Sequence, residues 1–233
     1  MIEIEGHGAH AAYPERGINA LVAAAKIVAA LETRPVPHDD ELGDGILVAT
    51  EIRSEPYPGV SIVPSRTRPR LDRRLLPGES AELVVTELEP YLAPARTLGA
   101  TATVRLSSFT VETYTGVALE RRRFFAAWRA DREQPFIAAA YALLPVGRPA
   151  AFCTNPSETV ARGIPTLILG AGDPELAHQP DEYVEVADLE RARGAYTTLA
   201  SLSLPIAGLP EFAPGGGVEY HARCREVFGE MDA

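Results

Sequence analysis

The order in which two hydrophobic periods follow each other constrains the fold of the first half of this chain. Apolar and polar residues alternate in period two, as in strands, over residues 2–5, 45–53 and 101–109, and residues 60–74 also read as a strand. Apolar residues recur with helical spacing over residues 17–31 and 77–92. The order strand, helix, strand, strand, helix, strand predicts an α+β two-layer sandwich, in which a four-stranded antiparallel sheet carries two helices.

Local signals refine this prediction. The turn Pro56-Tyr57-Pro58-Gly59 joins the second and third strand segments, so we expect them to pair as a hairpin. Pro69 cannot donate a ladder hydrogen bond, which predicts an edge position or a bulge. In the second helix, the spacing places Leu83 and Leu88 among the buried residues.

After Thr115 the pattern changes. An arginine-rich stretch, residues 121–132, leads into an apolar helix near residues 136–144. The run Thr166-Leu167-Ile168-Leu169 between Pro165 and Gly170 is typical of a buried parallel strand, and a helix is expected from Asp188 to about Leu202. The sequence therefore predicts a first domain over residues 1–115, an α/β segment over residues 116–202 and an irregular tail over residues 203–233.

Charge and composition exclude several classes of function. The formal charge of −10 argues against binding to nucleic acid or anionic membranes and favours small-molecule partners. No apolar run approaches a membrane span and the first residues do not resemble a signal peptide, so we expect a cytoplasmic protein. Cys153 and Cys224 form no C-x-x-C pair, so a metal site would need histidine and carboxylate ligands.

Two histidines are candidates for chemistry. His10 lies in a glycine-rich loop between a strand and a helix, from which its imidazole N–H could stabilise an oxyanion. It could equally be a surface histidine with a local backbone hydrogen bond. His178 follows the carboxyl end of the apolar run that ends at Leu169, where α/β sheets place their ligand sites. A zinc centre needs three or four donors, so His178 alone is not a site.

Other candidates have ordinary structural explanations beside the functional ones. Asn155 or Ser157 could cap the short helix that follows, and capping is the favoured role for Ser157. The turn Gly170-Ala171-Gly172 could present backbone N–H groups to a carboxylate, or be a turn and nothing more. The segment Asp72-Arg73-Arg74 reads as surface charge pairing for at least one arginine.

Three groups of residues together resemble one known family. The first is Gly6, His10, Pro14, Gly17, Asn19 and Ala20; the second is Val63-Pro64, Asp72-Arg73-Arg74 and Gly78-Glu79. The third is Gly163-Ile164-Pro165-Thr166, Gly170-Ala171-Gly172 and Ala177-His178-Gln179-Pro180-Asp181-Glu182-Tyr183-Val184. In this order they resemble the lid and the last catalytic segment of the zinc-dependent aminoacylase, acetylornithine deacetylase, succinyl-diaminopimelate desuccinylase and carboxypeptidase G family.

The resemblance implies a role for each matched residue. His178 would be a metal ligand, and His10 would be the lid histidine that reaches across a homodimer to the substrate carbonyl. Asn155 with the backbone of Gly170 and Gly172 would line the carboxylate end of the substrate. The implied activity is hydrolysis of amide bonds in N-acyl amino acids or small peptides, with two zinc ions in the complete site, and the implied architecture is a dimerisation lid followed by an incomplete α/β catalytic segment.

Two departures limit what this resemblance implies. The chain has no Glu-Glu dipeptide, and its H-x-D string, His38-Asp39-Asp40, lies in a proline-flanked loop instead of a catalytic segment. Ala171 stands where the family has a proline. We therefore expect the chain alone to bind no zinc tightly and to turn over no substrate. A non-catalytic dimerisation or ligand-binding module and a truncated pseudogene product remain as alternatives.

Overall fold

The computed structural model describes residues 1–144, 147, 149–152 and 154–202. The tail predicted for residues 203–233 and both cysteines lie outside these residues. The first half contains the strands and helices β1 (Ile2–Glu5), β2 (Ala9–His10), α1 (Ala20–Leu31), β3 (His38–Asp39), β4 (Gly43–Asp44), β5 (Ile46–Glu55), β6 (Ile62–Val63), β7 (Arg66–Arg74), α2 (Ala81–Leu88), α3 (Ala93–Thr97) and β8 (Thr101–Val104). It is followed by β9 (Ser108–Glu112), β10 (Ala118–Arg122), α4 (Pro135–Leu143), α5 (Pro156–Val160) and α6 (Val186–Ala200).

The predicted α+β lid fold is confirmed. The main sheet has the strand order β5-β7-β1-β8, and each neighbouring pair is antiparallel. One face of the sheet packs against the helices, and this core includes Ile2 and Ile4 from β1, Ile27 from α1 and Leu88 from α2. Burying an apolar side chain of this size stabilises the fold by about 1.5–3 kcal/mol relative to leaving it exposed.

The opposite face of the sheet is charged. Glu3 and Glu5 point away from the core because they alternate with Ile2 and Ile4. Arg68 of β7 donates to Glu3 at 3.0 Å and to Glu55 of β5 at 2.5 Å. This hydrogen bond from Arg68 is the main cause that lowers the pKa of Glu3 from its ordinary value.

The predicted hairpin of β5 and β7 is present, but a bulge alters its faces. The register passes from Ala49↔Leu71 to Glu51↔Arg70, so one extra residue interrupts β5. The regular alternation over residues 45–53 predicts that Ile46, Val48 and Ile52 share a face. Because a bulge reverses the alternation, Ile46 and Val48 lie on the charged face, whereas Ile52 pairs with the fully buried Pro69 on the core face.

Pro69 therefore lies inside the sheet, with the bulge nearby on the paired strand. The pairs between β1 and β7 are Ile4↔Thr67 and Glu5↔Arg66, and both precede Pro69. The missing N–H of Pro69 consequently costs no hydrogen bond of that ladder. Of the two predicted alternatives, the edge position is wrong because β7 has neighbours on both sides, whereas a bulge is found in β5 opposite Arg70 and Leu71.

The buried side of the second helix is displaced by one residue from the prediction. Leu88 is buried as expected, but Leu83 is 60% exposed and Val84 takes its place in the core. The helix is short, from Ala81 to Leu88, and is capped by Ser80, whose Oγ accepts from the N–H of Leu83. Its docking on the sheet, not its own apolar spacing, decides which side faces inward.

The described residues divide between two compact units, residues 1–129 with 147–164 and residues 130–144 with 165–202. In the second unit α6 agrees with the expected helix, and Ala192 is buried whereas Tyr196 is 53% exposed. The predicted strand Thr166–Leu169 is not found: the segment joins no sheet of the described part of the chain. A strand needs a neighbour for its ladder, and Ile168 is 42% exposed. None of the described helices has the length and hydropathy needed to cross a bilayer.

Candidate functional site

The loop that carries His10 is held between β1 and α1 by a close backbone contact. His7 and Ile18 exchange two hydrogen bonds, from His7 N–H to Ile18 O at 2.9 Å and from Ile18 N–H to His7 O at 2.8 Å. A Cβ added to Gly6 would lie 2.1 Å from Ile18 O, far inside van der Waals contact. Only glycine permits this approach, so Gly6 fixes where the loop leaves the sheet.

The outer side of the loop is also anchored. In β2, Ala9 pairs with Val63 and His10 with Ile62, and the N–H of Ala11 donates to Ser61 O at 2.9 Å. A 3-10 turn over Pro14–Arg16 then returns the chain toward α1. With both ends and the middle bonded, the loop presents His10 from a defined backbone position.

The helix after the loop begins at a side-chain cap. Asn19 Oδ1 accepts from the N–H of Leu21 at 3.0 Å and of Val22 at 3.2 Å. The N–H of Ala20 donates to Pro64 O at 3.0 Å, and Ala20 is fully buried. Asn19 therefore caps α1, and Ala20 ties the start of this helix to Pro64 beside β6. Both are among the residues that carry the family resemblance.

The imidazole of His10 is exposed and its orientation is defined. Its Nδ1 accepts a hydrogen bond from the N–H of Ala12 at 3.0 Å. This acceptor role assigns the proton of the neutral ring to Nε2, which is left free to donate. The hydrogen bond from Ala12 is the local backbone hydrogen bond expected of an ordinary surface histidine. The same bond leaves Nε2–H available as a donor, which is what the functional interpretation requires.

Sequence analysis missed two neighbours of His10. The Tyr13 ring lies 6.0 Å from the His10 ring, and the Arg16 guanidinium stacks over Tyr13 at 4.9 Å from the ring centroid. Both follow from the 3-10 turn, since the N–H of Arg16 donates to Tyr13 O at 3.1 Å. Arg16 also lies 4.0 Å from the Glu15 carboxylate, so this surface places a paired cation next to the histidine.

The residues predicted around the second histidine lie in the second unit. His178 adopts φ +64° and its N–H donates to the Glu182 carboxylate at 3.0 Å. Gly172 has φ +89° and lies against Val184, whereas a Cβ added to Gly170 would have no atom of the described residues within 4 Å beyond its chain neighbours. Within the described residues, no three His, Cys, Asp or Glu side chains are grouped so as to hold a metal ion.

Asn155 precedes α5 in the first unit, where His10 also lies. Its side chain makes no capping hydrogen bond. Ser157 is not the cap either, so that prediction is wrong: it is the second residue of α5, and its buried Oγ has no hydrogen-bond partner. The helix instead begins at Pro156, whose ring fixes a helical φ without needing a donor.

The H-x-D string forms a small hairpin with partners of its own. His38 Nδ1 lies 2.6 Å from Asp44, and Asp39 accepts from the backbone N–H groups of Leu42 and Glu41 and from the Arg129 side chain. The backbone hydrogen bonds from Leu42 and Glu41 are the main cause that lowers the pKa of Asp39 from its ordinary value, and Arg129 adds to it. Both groups of the H-x-D string thus stabilise a turn.

A buried cation was also missed. Arg73, with a side chain 8% exposed, pairs with Glu79 and with Glu87 of α2, the latter at 2.6 Å. The neighbouring Arg74 is exposed and lies 3.3 Å from Asp72, as expected of surface charge pairing. Asp72-Arg73-Arg74 and Gly78-Glu79 are both in the second group of residues that carry the family resemblance. This shared group is the sequence signal that could have linked Arg73 with Glu79.

Comparison with known proteins places the first part of the chain among similar domains. Residues 1–96 match the family model of the peptidase dimerisation domain. The chain is 27% identical over 208 residues to the uncharacterized protein YgeY of Escherichia coli strain K12, covering 85% of this chain and 51% of that protein. The chain thus spans about half the length of the curated relatives that it matches.

Solved structures share the fold. Aminopeptidase PepT from Bacillus cereus is 19% identical with a TM-score of 0.54, covering 85% of this chain and 49% of PepT. A tripeptidase from Staphylococcus aureus is 16% identical with the same TM-score of 0.54, covering 85% of this chain and 48% of that one. Residues 1–96 are thus similar to a peptidase dimerisation domain, in agreement with the family that the sequence resemblance indicated.

Proposed function

We propose that this chain supplies the lid and the terminal catalytic segment of a metal-dependent hydrolase that cleaves amide bonds in N-acyl amino acids or small peptides. The observation that carries the proposal is the bonded geometry of the His10 loop within residues similar to a peptidase dimerisation domain. Such a loop can hold a hydrogen-bond donor in place before the substrate arrives. Enzymes stabilise a developing oxyanion with donors that are positioned in advance in this way.

His10 would act as that donor. The Ala12 N–H on Nδ1 leaves Nε2–H to bond the carbonyl oxygen of a substrate held by a second subunit. The hydrogen bond shortens as negative charge develops on that oxygen, so it favours the transition state over the substrate. No proton needs to move to or from His10 in this step. Tyr13 and Arg16 would flank the same substrate surface.

The metal would require donors from beyond the described residues. His178 offers one imidazole, and Glu182 is engaged by the His178 backbone N–H. A tetrahedral zinc shell needs four ligands, so the described residues do not fit a zinc ion by themselves. We therefore assign His178 as one ligand of a site completed by another polypeptide segment, and derive no catalytic step of this chain from the metal.

The resemblance makes Asn155 in the first unit and the turn at Gly170–Gly172 in the second unit separate candidates for binding a substrate carboxylate. Asn155 keeps its amide free of capping, and the positive φ of Gly172 shapes a turn whose backbone N–H groups suit an anion.

A homodimer would bring His10 to the partner's substrate. The strand β5 has β7 on one side, and its other edge is unpaired within the part of the chain that the structure describes. Ile46 and Val48 are exposed along this edge, as are Leu21 and Val22 on α1. An unpaired ten-residue strand flanked by exposed apolar side chains is a surface on which a second sheet can pair. We place this dimer in the cytoplasm.

The test is co-expression of the chain with the segment encoded upstream of it, followed by zinc analysis and assay of a panel of N-acyl amino acids. We expect about two zinc ions per assembled pair, turnover only in that pair, and a loss of kcat of about 10²–10³-fold in His10→Ala with zinc content unchanged. His178→Ala should lose zinc. The matched control is His7→Ala, an exposed histidine in the same loop, which should keep full turnover.

A second function is favoured by the lack of a metal-binding group among the described residues. In that case the chain is a dimerisation module that binds a carboxylate ligand without hydrolysing it. Absence of zinc and of turnover in the co-expressed pair, together with a stable dimer of the chain alone, would support this function and exclude the hydrolase.

A further inference from the structure

The pairing of β2 with β6 determines which side chain accompanies His10. His10 lies directly opposite Ile62 in this antiparallel pair, and Ala9 lies opposite Val63. Directly opposed residues point to the same side of a sheet, with Cβ atoms about 4.5–5.5 Å apart. Val63 is 5% exposed and takes the inner side, so the alternation along β6 turns Ile62 outward together with His10.

Ile62 and Tyr13 make the surface next to His10 apolar. Ile62 is 48% exposed and Tyr13 is 52% exposed. The Tyr13 ring lies 6.0 Å from the His10 ring, and the Tyr13 N–H donates to His10 O at 2.8 Å. Strand pairing therefore holds one apolar side chain beside the imidazole, and a turn holds the other. We call His10, Tyr13 and Ile62 together the lid patch.

The charges beside the lid patch belong to a pair that stays in water. Arg16 stacks over the Tyr13 ring at 4.9 Å from its centroid and lies 4.0 Å from Glu15. The side chains of Arg16 and Glu15 are 75% and 68% exposed, so solvent screens both charges. An acidic substrate group that approached Arg16 would also meet the Glu15 carboxylate. The lid patch therefore suits an uncharged apolar group better than an acidic one.

The hydrogen bond of His10 determines which part of a substrate lies on the lid patch. In the proposed function, on which this inference rests, Nε2–H bonds the carbonyl oxygen of the scissile amide. The carbonyl carbon carries the acyl chain on one side and the nitrogen of the amino acid on the other. The amino acid bears a carboxylate, which is costly to place against apolar side chains. The acyl chain is therefore the part that extends over Ile62 and Tyr13.

We propose that the lid patch selects N-acyl amino acids whose acyl group is apolar and larger than acetyl, through contact with Ile62 and Tyr13. The methyl group of an acetyl substrate ends beside the carbonyl, whereas a longer chain or a ring continues over both side chains. Each CH₂ group that leaves water on this contact favours binding by about fourfold. The bonds that change stay the same: water adds to the carbonyl carbon, the C–N bond breaks, and a carboxylate and a free amino acid leave.

The experiment uses the chain co-expressed with its upstream segment and compares kcat/KM for the N-acetyl, N-hexanoyl, N-benzoyl and N-succinyl derivatives of one amino acid. We expect the hexanoyl and benzoyl derivatives to exceed the acetyl derivative at least about tenfold, and the succinyl derivative not to exceed it. Ile62→Thr replaces two carbons by a hydroxyl but keeps a β-branched residue in β6, and it should lower the hexanoyl-to-acetyl ratio about fivefold. Tyr13→Ser should lower the benzoyl-to-acetyl ratio similarly, and Tyr13→Phe should retain it.

The acetyl derivative is the internal control, because its turnover depends on His10 but not on the rest of the lid patch. Val36→Thr, which introduces a hydroxyl at a 53% exposed apolar position between α1 and β3, should leave every ratio unchanged. Ratios that stay constant in Ile62→Thr and Tyr13→Ser, or an equal loss on every derivative, overturn the selection by the lid patch and leave the hydrolase standing. A preference for the succinyl derivative that disappears in Arg16→Ala overturns it as well. Absence of turnover with all four derivatives refutes the proposed function and this inference together.

Discussion

Arg73 allows the most direct test of what holds the lid together. Its guanidinium bridges Glu79, which is 17% exposed, and Glu87, which is 39% exposed, while its own side chain is 8% exposed. Replacing it with methionine keeps the side-chain length but leaves two acids facing each other. Breaking a buried ion pair from one side costs about 3–5 kcal/mol, and the exposure of Glu87 places this case near 3 kcal/mol.

Urea unfolding followed by far-UV circular dichroism measures this loss, and a thermal scan should show a Tm lower by about 6–12 °C, given 2–4 °C per kcal/mol for a chain of this size. The matched control is Arg74→Met, which removes a guanidinium that is 40% exposed and should cost less than about 0.5 kcal/mol. Restoring neutrality with Glu79→Gln and Glu87→Gln should recover part of the loss. Equal urea midpoints for Arg73→Met and Arg74→Met would refute a stabilising role of the buried Arg73 ion pairs.

Two further predictions concern the cap and the charged sheet face. Asn19→Ala should lower the free energy of unfolding by about 1 kcal/mol, whereas Asn19→Asp should retain most of it, since an aspartate oxygen can accept the same two N–H groups; urea midpoints compare them. The pKa of Glu3 is lowered in the folded protein, so folding favours its ionised form. Its contribution to the free energy of unfolding is therefore fully present above the unfolded pKa of about 4.3. This contribution is lost as the pH falls through the lower pKa of the folded protein. Glu3→Gln should therefore be less stable than wild type at pH 7, with a difference that shrinks toward pH 3; a constant difference across this range would contradict the assignment.

Much of the lid could be predicted because its signals are local. The periods of the strands and helices, the hairpin turn and the loop that carries His10 between β1 and α1 all follow from neighbouring residues. The bulge in β5 could not be found this way, because Ile46, Val48 and Ile52 keep a regular spacing in the sequence. Only pairing with β7 shows that one residue is skipped and that Ile52 changes face.

The remaining differences also come from tertiary contacts. Leu83 and Val84 are adjacent, so a small rotation of α2 on the sheet exchanges which of them is buried, and hydrophobic spacing cannot define that angle. The run Thr166–Leu169 has the composition of a buried strand, but strand formation depends on a neighbour that the described chain does not supply. For the candidate site, the sequence could identify single residues such as His10. The stacking of Arg16 on Tyr13 beside it depends on the 3-10 turn and is known only from the structure.

The close contact of Gly6 with Ile18 has a mechanical consequence. With His7 bonded to Ile18 on one side and His10 paired to Ile62 on the other, the loop that carries His10 has no hinge of its own. It cannot open and close as a separate flap. Any motion that brings His10 toward a substrate must carry strand, loop and helix together as one rigid body, and its pivot must lie outside residues 6–20. A displacement of the start of α1 would therefore carry the backbone of His10 with it.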